Sequence, residues 1–372
     1  MRAMTHSIRL AALLLVLLAL PAFAQDTDSI YVLRDAAGKF AAYTVTDTGQ
    51  GLHKRDVALA QDAVISIAGV GNLPSFPVTL RPPAKPAAEV AKSRKSAPIF
   101  VVADTHGEYE ILAEMLKAHR VVDKQLRWSF GDGQLVVLGD VFDRGAHQVE
   151  ILWLLYELEA QARRAGGALH LVLGNHELMV LGGDVRYLNA KYQDTTTALG
   201  APSYSQLFGV ESVLGQWLRT KPAVLRLNDT LYLHGGLSPG LVDRNLTLTQ
   251  INATIREVAA GTGFVNGPER DRAQFLMGPE GPLWYRGYFA EVAGAVASDA
   301  EIDRVLAHFG ASRIVVGHTR VPTIRLLYQG RVVAVQVYPR RTDAGVEFET
   351  LLIRGRVLAR CRPDGGTERL TP

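Results

Sequence analysis

The chain has 372 residues, 48% of them hydrophobic, which is enough to bury one large core and a smaller second one. It carries 40 Lys and Arg against 37 Asp and Glu. Residues 1–24 hold two of these arginines and no acid, which leaves 38 against 37, a formal charge of +1, for the remainder. A balance this close to neutral argues against a nucleic-acid-binding protein. The single cysteine, Cys361, excludes an intrachain disulfide.

The N-terminus has the features of a secretory signal peptide. Met1–Arg9 is basic, Leu10–Leu20 is an uninterrupted apolar run, and Pro21–Ala24 ends in an Ala-x-Ala cleavage pattern. An uncleaved anchor is the alternative, but this run is too short for a good transmembrane span. We therefore predict cleavage before Gln25, export to the periplasm or the medium, and no stable membrane span afterwards.

Residues 25–80 are predicted to form a small β-rich region without a catalytic grouping. Short alternating runs such as Ile30–Leu33, Ala41–Val45 and Ala63–Ile67 are separated by Gly and Asp, which is typical of strands and turns. Residues 81–97 are rich in Pro, Ala and Lys and lack bulky hydrophobic residues. We interpret them as a linker.

Residues 98–325 contain five apolar runs that each end at Gly and polar side chains. Short runs of this kind predict buried strands that continue into loops, and open α/β sheets assemble their sites at the carboxyl ends of strands. All five ends carry Asp, Asn or His, so we expect them to form one shared metal site. The five segments are Ile99–Gly107, Leu135–Gly145, Leu171–Glu177, Leu231–Gly236 and Ile314–Thr319.

The remaining segments of this region are predicted to be mainly helical. Glu108–His119 and Gln148–Arg164 have amphipathic helical patterns and follow the first two site loops. Two longer helical insertions are expected at about 178–226 and 240–310. Residues 326–372 return to strand-like runs, which we expect to complete the core. The predicted class is therefore α/β.

The candidate metal ligands combine nitrogen and oxygen without a thiolate: Asp104, His106, Asp140, Asn175, His234 and His318. Such a set suits Mn, Fe, Zn or Co and argues against Cu(I) or an iron–sulfur cluster. Positions i and i+2 of an extended strand point the same way, so Asp104 and His106 are expected to bind the first metal. Asp140 has two oxygens and can bridge to a second metal, whose shell the remaining three ligands complete.

Two metals about 3.5–4 Å apart suit the hydrolysis of phosphate esters. They lower the pKa of a bridging water from 15.7 to roughly 7, so that hydroxide can attack phosphorus directly. Arg144 and Arg286 can make bidentate contacts to phosphate oxygens, and with Asn175 and His176 they form the predicted substrate contacts. His176 is placed to protonate the leaving oxygen, a contribution of about 10²–10⁴ in rate, and Asp143 can hold its imidazole.

These blocks resemble the phosphoprotein phosphatase family of calcineurin-like metallophosphoesterases, and in particular its bacterial-type branch, the Shewanella-like phosphatases. The resemblance spans about residues 98–325 and implies a central β-sandwich flanked by helices, with two divalent metals, manganese first among them. The Ser-Ala-Pro-Asn-Tyr block of the eukaryotic enzymes is absent after His318, as expected for the bacterial branch. The matching blocks are Asp104–Gly107, Gly139–Gly145, Gly174–Glu177, His234–Pro239, Trp284–Gly287 and Gly317–Thr319.

Three functions are compatible with these residues. The leading prediction is a phosphoprotein phosphatase acting on phosphotyrosine, on phosphoserine and phosphothreonine, or on both, with a phosphorylated protein or peptide as its partner. The second is a dinucleoside-polyphosphate hydrolase of the diadenosine tetraphosphate type. Asp143 beside Arg144, and Glu177 after His176, favour the first. The third is a metal-bearing binding protein without turnover, which the presence of His176, Asp143 and Arg144 disfavours. The sequence carries no signal of oligomeric state.

Overall fold

The structure is a computed structural model that describes residues 25–371 except 27, 36, 61, 83, 263–265, 293 and 295. The predicted signal peptide, residues 1–24, therefore lies outside the described residues. Within the part of the chain that is described, no helix is both long and apolar enough to cross a bilayer.

The N-terminal region is rich in strands, as predicted. Its first sheet is built around β3, which pairs with β4 from Phe40↔Leu59 to Asp47↔Leu52 and with β1 and β2 on its other edge. The second sheet is the antiparallel pair of β5 and β6. The strands are β1 (Gln25–Asp26), β2 (Tyr31–Arg34), β3 (Phe40–Asp47), β4 (Leu52–Leu59), β5 (Val64–Ile67) and β6 (Phe76–Thr79).

The N-terminal region shares a hydrophobic core with the following residues. Tyr31 and Phe40 belong to the same buried cluster as Trp153 and Phe208, and the indole N–H of Trp153 donates to the carbonyl of Ile30 at 2.7 Å. The region is therefore packed onto the catalytic part of the chain through buried apolar surface.

The segment predicted to be a linker contains a strand of its own, β7 (Val90–Ala91). It runs parallel to a core strand at Val224–Leu227, with Val90 opposite Arg226. The backbone N–H of Arg226 donates to the carbonyl of Glu89 at 2.8 Å. This part of the segment is thus the edge strand of a core sheet rather than a free connection.

The later strands form two six-stranded sheets and one separate antiparallel pair, β16–β17. They are β8 (Ile99–Val102), β9 (Gln134–Val137), β10 (Ala168–Leu171), β11 (Val224–Leu227), β12 (Thr230–Leu233), β13 (Arg313–Val316), β14 (Arg325–Leu327), β15 (Val332–Ala334), β16 (Arg340–Thr342), β17 (Gly345–Glu347), β18 (Thr350–Arg354), β19 (Val357–Cys361) and β20 (Thr367–Arg369). The first sheet has the order β10-β9-β8-β18-β19-β20 and the second β14-β15-β13-β12-β11-β7.

Helices cover the outer faces of these two sheets. The α-helices are α1 (Tyr109–Ala118), α2 (Gln148–Arg164), α3 (Asn175–Leu181), α4 (Ala190–Leu199), α5 (Val213–Arg219), α6 (Pro239–Asp243), α7 (Leu248–Ala259), α8 (Pro268–Met277) and α9 (Asp299–Phe309), with 3₁₀ turns at Tyr204–Phe208 and Tyr328–Gly330. The two predicted amphipathic helices correspond to α1 and α2.

Strand β8 shows how the layers are arranged. Phe100 and Val102 belong to the cluster that contains α1 and α2, whereas Ile99 and Val101 belong to the cluster between the two sheets and the helices α7 and α9. Because both faces of β8 are covered, all four of its residues are buried, which explains the continuous apolar run. The predicted β-sandwich flanked by helices is confirmed.

The prediction of helix through residue 226 was wrong at its end. Residues Val224–Leu227 form β11, which pairs with β12 across a two-residue turn at Asn228 and Asp229. Asn228 has φ 58, in the left-handed region that two-residue hairpin turns require and that Asn tolerates. The Asn-Asp dipeptide between two apolar runs was the signal for this hairpin.

Cys361 lies in β19 and is fully buried. Burial raises the pKa of its thiol to about 11, which suppresses the reactive thiolate at neutral pH. We expect the native chain to resist Ellman's reagent at pH 8 and to release about one equivalent of chromophore per chain in guanidinium chloride. Cys361→Ala gives the background, and rapid stoichiometric labelling of the native chain would contradict this assignment.

Candidate metal centre

The predicted ligands come together because the strands that carry them end at a common place. β8, β9 and β10 are mutually parallel, and so are β12 and β13 in the second sheet. The loops after these five strands carry all six predicted ligands. Five of the six side chains are buried, and His318 is half-buried.

Asp140 lies at the middle of this arrangement. Two groups of potential ligand atoms each fall within 4.8 Å of one another and have Asp140 in common. The first cluster is His106, Asp140 and His176, and the second cluster is Asp140, His234 and His318. Asp140 Oδ2 is 3.1 Å from His234 Nε2 and 3.7 Å from His106 Nε2. This is the position that the predicted bridging role requires.

The second cluster has the chemistry of a cation site. His234 Nδ1 donates to the Leu138 carbonyl at 2.8 Å, which leaves Nε2 with its lone pair directed inward. That atom is 2.8 Å from Asn175 Oδ1 and 3.0 Å from His318 Nδ1, with the Asp140 carboxylate at 3.1 Å. Four acceptor atoms at these distances repel one another unless a cation lies among them, either a metal ion or a proton on His234 Nε2. The residues present therefore fit a divalent metal.

The electrostatics of the centre lead to the same conclusion. Burial alone would lower the pKa of His234, but the carboxylates of Asp140 and Asp104 outweigh it and raise that pKa to about 9. Burial raises the pKa of Asp104 to about 7, and the nearby charge of Asp140 adds to this effect. The His234 shift expresses negative charge concentrated in a buried space, which a divalent cation would neutralise.

His106 and His318 have lowered pKa values, which keep them neutral at neutral pH. Burial lowers the pKa of His106 to about 4, and its Nδ1 lies 2.8 Å from the Phe142 carbonyl, so Nε2 is the atom turned to the centre. Burial, together with the positive charge of His234 and Arg286, lowers the pKa of His318 to about 2. Neutral imidazole is the form that binds metals.

Asp104 lies beside the second cluster. Its Oδ1 accepts the backbone N–H of His318 at 3.1 Å and lies 3.8 Å from His234 Nδ1, so it adjoins the second cluster. The strand-alternation argument for pairing it with His106 was wrong, because β8 ends at Val102 and His106 has φ 43, in the left-handed region. The division of ligands between two metals stays a prediction.

Strained backbone is concentrated in the site loops. Five of the eleven non-glycine residues with positive φ in the described chain are predicted site residues: His106, Asp140, Asp143, Arg144 and His318. Such conformations cost on the order of 1–3 kcal/mol each and persist only where surrounding contacts enforce them.

Glu177 makes several of the contacts that hold these loops in place. Its Oε2 accepts the N–H groups of Asp140 at 2.8 Å and Gly174 at 2.7 Å, and its Oε1 accepts those of Val141 at 2.8 Å and Phe142 at 3.4 Å. The loops that carry Asp140 and Asn175 are thereby joined through one buried carboxylate. They touch so closely at Gly139 that a Cβ there would lie 2.3 Å from the Gly174 nitrogen.

Glu177→Gln is expected to destabilise the fold by about 2–4 kcal/mol and to weaken metal binding. Both oxygens of the carboxylate now accept backbone N–H groups. The amide nitrogen of the new side chain would face some of these N–H groups with its own N–H donors. Chemical denaturation and metal titration measure the two effects, with the exposed Glu257→Gln as the matched control. A variant as stable as that control would contradict the role we assign to Glu177.

His176 belongs to the first cluster by distance, but its contacts suit another role. Its Nδ1 is 2.5 Å from Asp143 Oδ2. Burial alone would lower the pKa of His176, but the Asp143 hydrogen bond and the Asp140 charge outweigh it and raise that pKa. A protonated imidazole can donate a proton and cannot bind a metal. This arrangement fits the predicted general acid better than a ligand.

The two predicted phosphate-binding arginines lie on different sides of the centre. Arg144 is exposed, and its guanidinium carbon is 5.9 Å from the ring centre of Tyr187 and 6.0 Å from that of Tyr338. Arg286 is half-buried next to His318, with Nη1 donating to that residue's carbonyl at 3.2 Å and to Thr319 Oγ1 at 3.2 Å.

Sequence reasoning did not find the aromatic side chains around the centre. The Tyr187 ring is 5.4 Å from that of His176, and the Tyr338 ring is 5.9 Å from that of His106. Neither tyrosine belongs to a recognisable motif, and Tyr338 is far along the chain from the ring of His106 that it contacts. The Trp284 ring lies 5.6 Å from that of His318. Its position in the sequence, two residues before Arg286, was a signal that it lies near the centre.

Comparison with known proteins agrees with this geometry. The family model of calcineurin-like phosphoesterases matches residues 97–322. The chain belongs to this family. Calcineurin-like phosphoesterases use a binuclear divalent metal centre, and the two ligand clusters around Asp140 are the candidates for it.

Two relatives support the narrower assignment. Shewanella-like protein phosphatase 2 of Arabidopsis thaliana is 26% identical over 277 residues, which cover 62% of this chain and 68% of that protein. The crystal structure of a cold-active protein-tyrosine phosphatase from a psychrophilic Shewanella species superimposes with a TM-score of 0.80 at 35% identity, covering 92% of this chain and 99% of the other. The predicted family, the fold and a metal-dependent phosphoesterase of the phosphoprotein phosphatase type are therefore confirmed.

The alternative branch is also detectable, over a shorter part of the chain. Symmetrical bis(5'-nucleosyl)-tetraphosphatase of Vibrio cholerae is 30% identical over 141 residues, which cover 38% of this chain and 45% of that protein. The similarity to dinucleoside-polyphosphate hydrolases therefore covers a smaller share of the chain than the similarity to protein phosphatases.

Proposed function

We propose that the chain is an exported, manganese-dependent phosphatase that removes phosphate from proteins, with phosphotyrosine as its preferred substrate. The observation that carries the proposal is the position of Asp140. It is shared by two ligand clusters and lies 3.8 Å from Nε2 of His176, whose other nitrogen is paired with Asp143. Two metals and a proton donor are what the hydrolysis of a phosphate ester needs.

Each residue has a role in this reaction. Arg144 and Arg286 approach from different sides and bind phosphoryl oxygens by charge-assisted hydrogen bonds. The Asp143 carboxylate keeps His176 protonated and oriented, so that Nε2 delivers its proton to the leaving oxygen as the ester bond breaks. Asn175 holds its amide oxygen against His234 Nε2 at 2.8 Å, at the edge of the second cluster. Divalent metals, when bound, activate water for attack and neutralise charge on the phosphoryl group.

The surroundings of Arg144 support an aromatic substrate. The rings of Tyr187 and Tyr338 flank its guanidinium and lie against the rings of His176 and His106. A phenyl phosphate whose phosphoryl group reaches Arg144 would bring its ring next to these side chains, where aromatic contacts are favourable. A phosphoserine side chain offers no ring for these contacts. The Shewanella structural relative is a protein-tyrosine phosphatase by its own description.

Manganese and export rest on separate arguments. The ligands are imidazole nitrogens with carboxylate and amide oxygens, a set that Mn²⁺ accepts readily and that Fe, Zn or Co could also use. Export rests on the basic, apolar and Ala-x-Ala segments of residues 1–24. The phosphorylated partner is then expected outside the cytoplasm.

The test is a comparison of three substrates under one condition. The chain from Gln25, loaded with Mn²⁺, is assayed with phosphotyrosine peptide, phosphoserine peptide and diadenosine tetraphosphate. We expect phosphate release from the phosphotyrosine peptide with the highest kcat/KM. Turnover of the dinucleotide alone would assign the chain to the tetraphosphatase branch, and no turnover of any of the three would support a binding protein.

A further inference from the structure

A chain of buried polar contacts connects the catalytic Asp143 to the N-terminal region. The backbone N–H of Asp143 donates to Gln148 Oε1 at 2.6 Å. The Nε2 of Gln148 donates in turn to the Tyr204 hydroxyl at 2.5 Å. Asp143, Gln148 and Tyr204 are all buried, so these contacts are shielded from water.

The chain continues into strand β2 and the residues before it. The Tyr204 ring meets the Tyr31 ring edge to face, with the two centroids 6.5 Å apart. The Tyr31 hydroxyl then donates to Asp28 Oδ2 at 2.8 Å. Asp28 is buried, so this hydrogen bond is also shielded from water.

A second set of contacts runs from Asp28 to the same loop. Lys191 Nζ is 3.0 Å from Asp28 Oδ1 and donates to the Ala146 carbonyl at 2.7 Å. Glu150 Oε1 lies 3.8 Å from the same ammonium group. Lys191 therefore ties Asp28 to the end of the loop whose beginning is held through Gln148.

The two sets of contacts end on and beside the Asp143–Arg144 turn, which is both strained and functional. Asp143 has φ 71 and Arg144 has φ 68, two consecutive non-glycine residues in the left-handed region. This conformation brings Asp143 Oδ2 to His176 while Arg144 stays exposed between two tyrosine rings. A backbone of this kind persists only where neighbouring contacts hold it.

We propose that Asp28 and Tyr31 are positioning residues, through which the N-terminal region holds the Asp143–Arg144 turn in its active conformation. The inference rests on the proposed function, in which Asp143 orients His176 as proton donor. It assigns a role to a region whose own strands contain no catalytic grouping. Residues 25–80 thus act on catalysis from a distance, and Asp28 is the point at which their two connections meet.

Packing alone does not account for Tyr31. Its ring contacts Phe208 at 6.0 Å between centroids, and a phenylalanine would fill the same space. The hydroxyl instead donates to the buried Asp28 carboxylate, which would lose one of its donors on removal of that hydroxyl. Tyr31→Phe is therefore a clean test, since it deletes one oxygen and keeps the apolar contacts.

The experiment compares Tyr31→Phe and Asp28→Asn with the unmodified chain from Gln25, loaded with Mn²⁺, on phenyl phosphate and 4-nitrophenyl phosphate. We expect kcat for phenyl phosphate to fall on the order of tenfold with KM within about twofold, because misplacing a catalytic group by a fraction of an ångström has such effects. The fall should be smaller for 4-nitrophenyl phosphate, whose leaving group needs little protonation.

Two controls separate positioning from loss of fold. Tyr43→Phe removes a hydroxyl from the strand paired with β2, opposite Tyr31, and should leave kcat unchanged. Ile67→Ala should lower the Tm of the chain and reduce activity on both substrates by the same factor. Equal losses on both substrates in Tyr31→Phe, or no loss at all, would overturn the inference. An unmodified chain that hydrolyses neither phosphopeptides nor aryl phosphates would instead overturn the proposed function.

Discussion

Asp140→Asn is expected to lower phosphatase turnover by about 10³-fold or more and to reduce the bound metal. The substitution keeps the shape of the side chain but removes its charge from the point that both ligand clusters share. If a bridging carboxylate contributes about 4 kcal/mol to transition-state stabilisation through the metals it holds, the loss corresponds to about 10³-fold in rate. An amide nitrogen facing His234 Nε2, now 3.1 Å from the carboxylate, would also remove one acceptor from the second cluster.

Activity and metal content should be measured on the same preparations, the latter by inductively coupled plasma mass spectrometry. Asp56→Asn, an exposed aspartate in β4, is the matched control and should retain both. An Asp140→Asn protein with two metals per chain and most of its activity would exclude Asp140 as the bridging ligand.

His176→Ala is expected to have the second largest effect, and one that depends on the substrate. Turnover of phenyl phosphate should fall by about 10²–10⁴, the usual contribution of a general acid. Turnover of 4-nitrophenyl phosphate should fall far less, because 4-nitrophenolate is a stable anion and can leave without being protonated. The 2.5 Å contact with Asp143 and the raised pKa of the imidazole are the physical basis of this expectation.

Metal analysis of His176→Ala decides between two roles for this side chain. The position of Nε2, 3.8 Å from Asp140 Oδ2, would also allow it to bind a metal of the first cluster. Full metal content with a substrate-dependent loss of rate identifies the proton donor. Loss of metal, with equal losses for both substrates, would place His176 among the ligands.

The sequence allowed the family, the sandwich and the identity of the side chains around Asp140 to be predicted. The family and the side chains were predictable because each ligand closely follows an apolar run, and both are visible in a single segment. The sandwich was implied only by the resemblance to the family. What could not be predicted depends on backbone conformation or on distant contacts. His106 reaches the centre through a left-handed turn, which strand alternation does not anticipate.

Contacts between distant segments account for the other omissions. Tyr338 lies in the C-terminal region and Tyr187 in an insertion, yet they flank the same guanidinium. Asp28 was part of a region that we described only as β-rich, because its connection to Asp143 passes through three other side chains. Neither composition nor periodicity reports a hydrogen bond between residues that are more than a hundred positions apart.

The C-terminal strands have a consequence for the order of events in synthesis. β8, which leads directly to Asp104 and His106, pairs on one side with β9 and on the other with β18, where Ile99 lies opposite Ile353. Until the ribosome has released the chain beyond Arg354, β8 has an unpaired edge and the first sheet is incomplete. Such distant pairing also slows folding, because the long intervening loop must close first. The first sheet therefore needs β18, in addition to the strands that lead to the ligands, before it is complete.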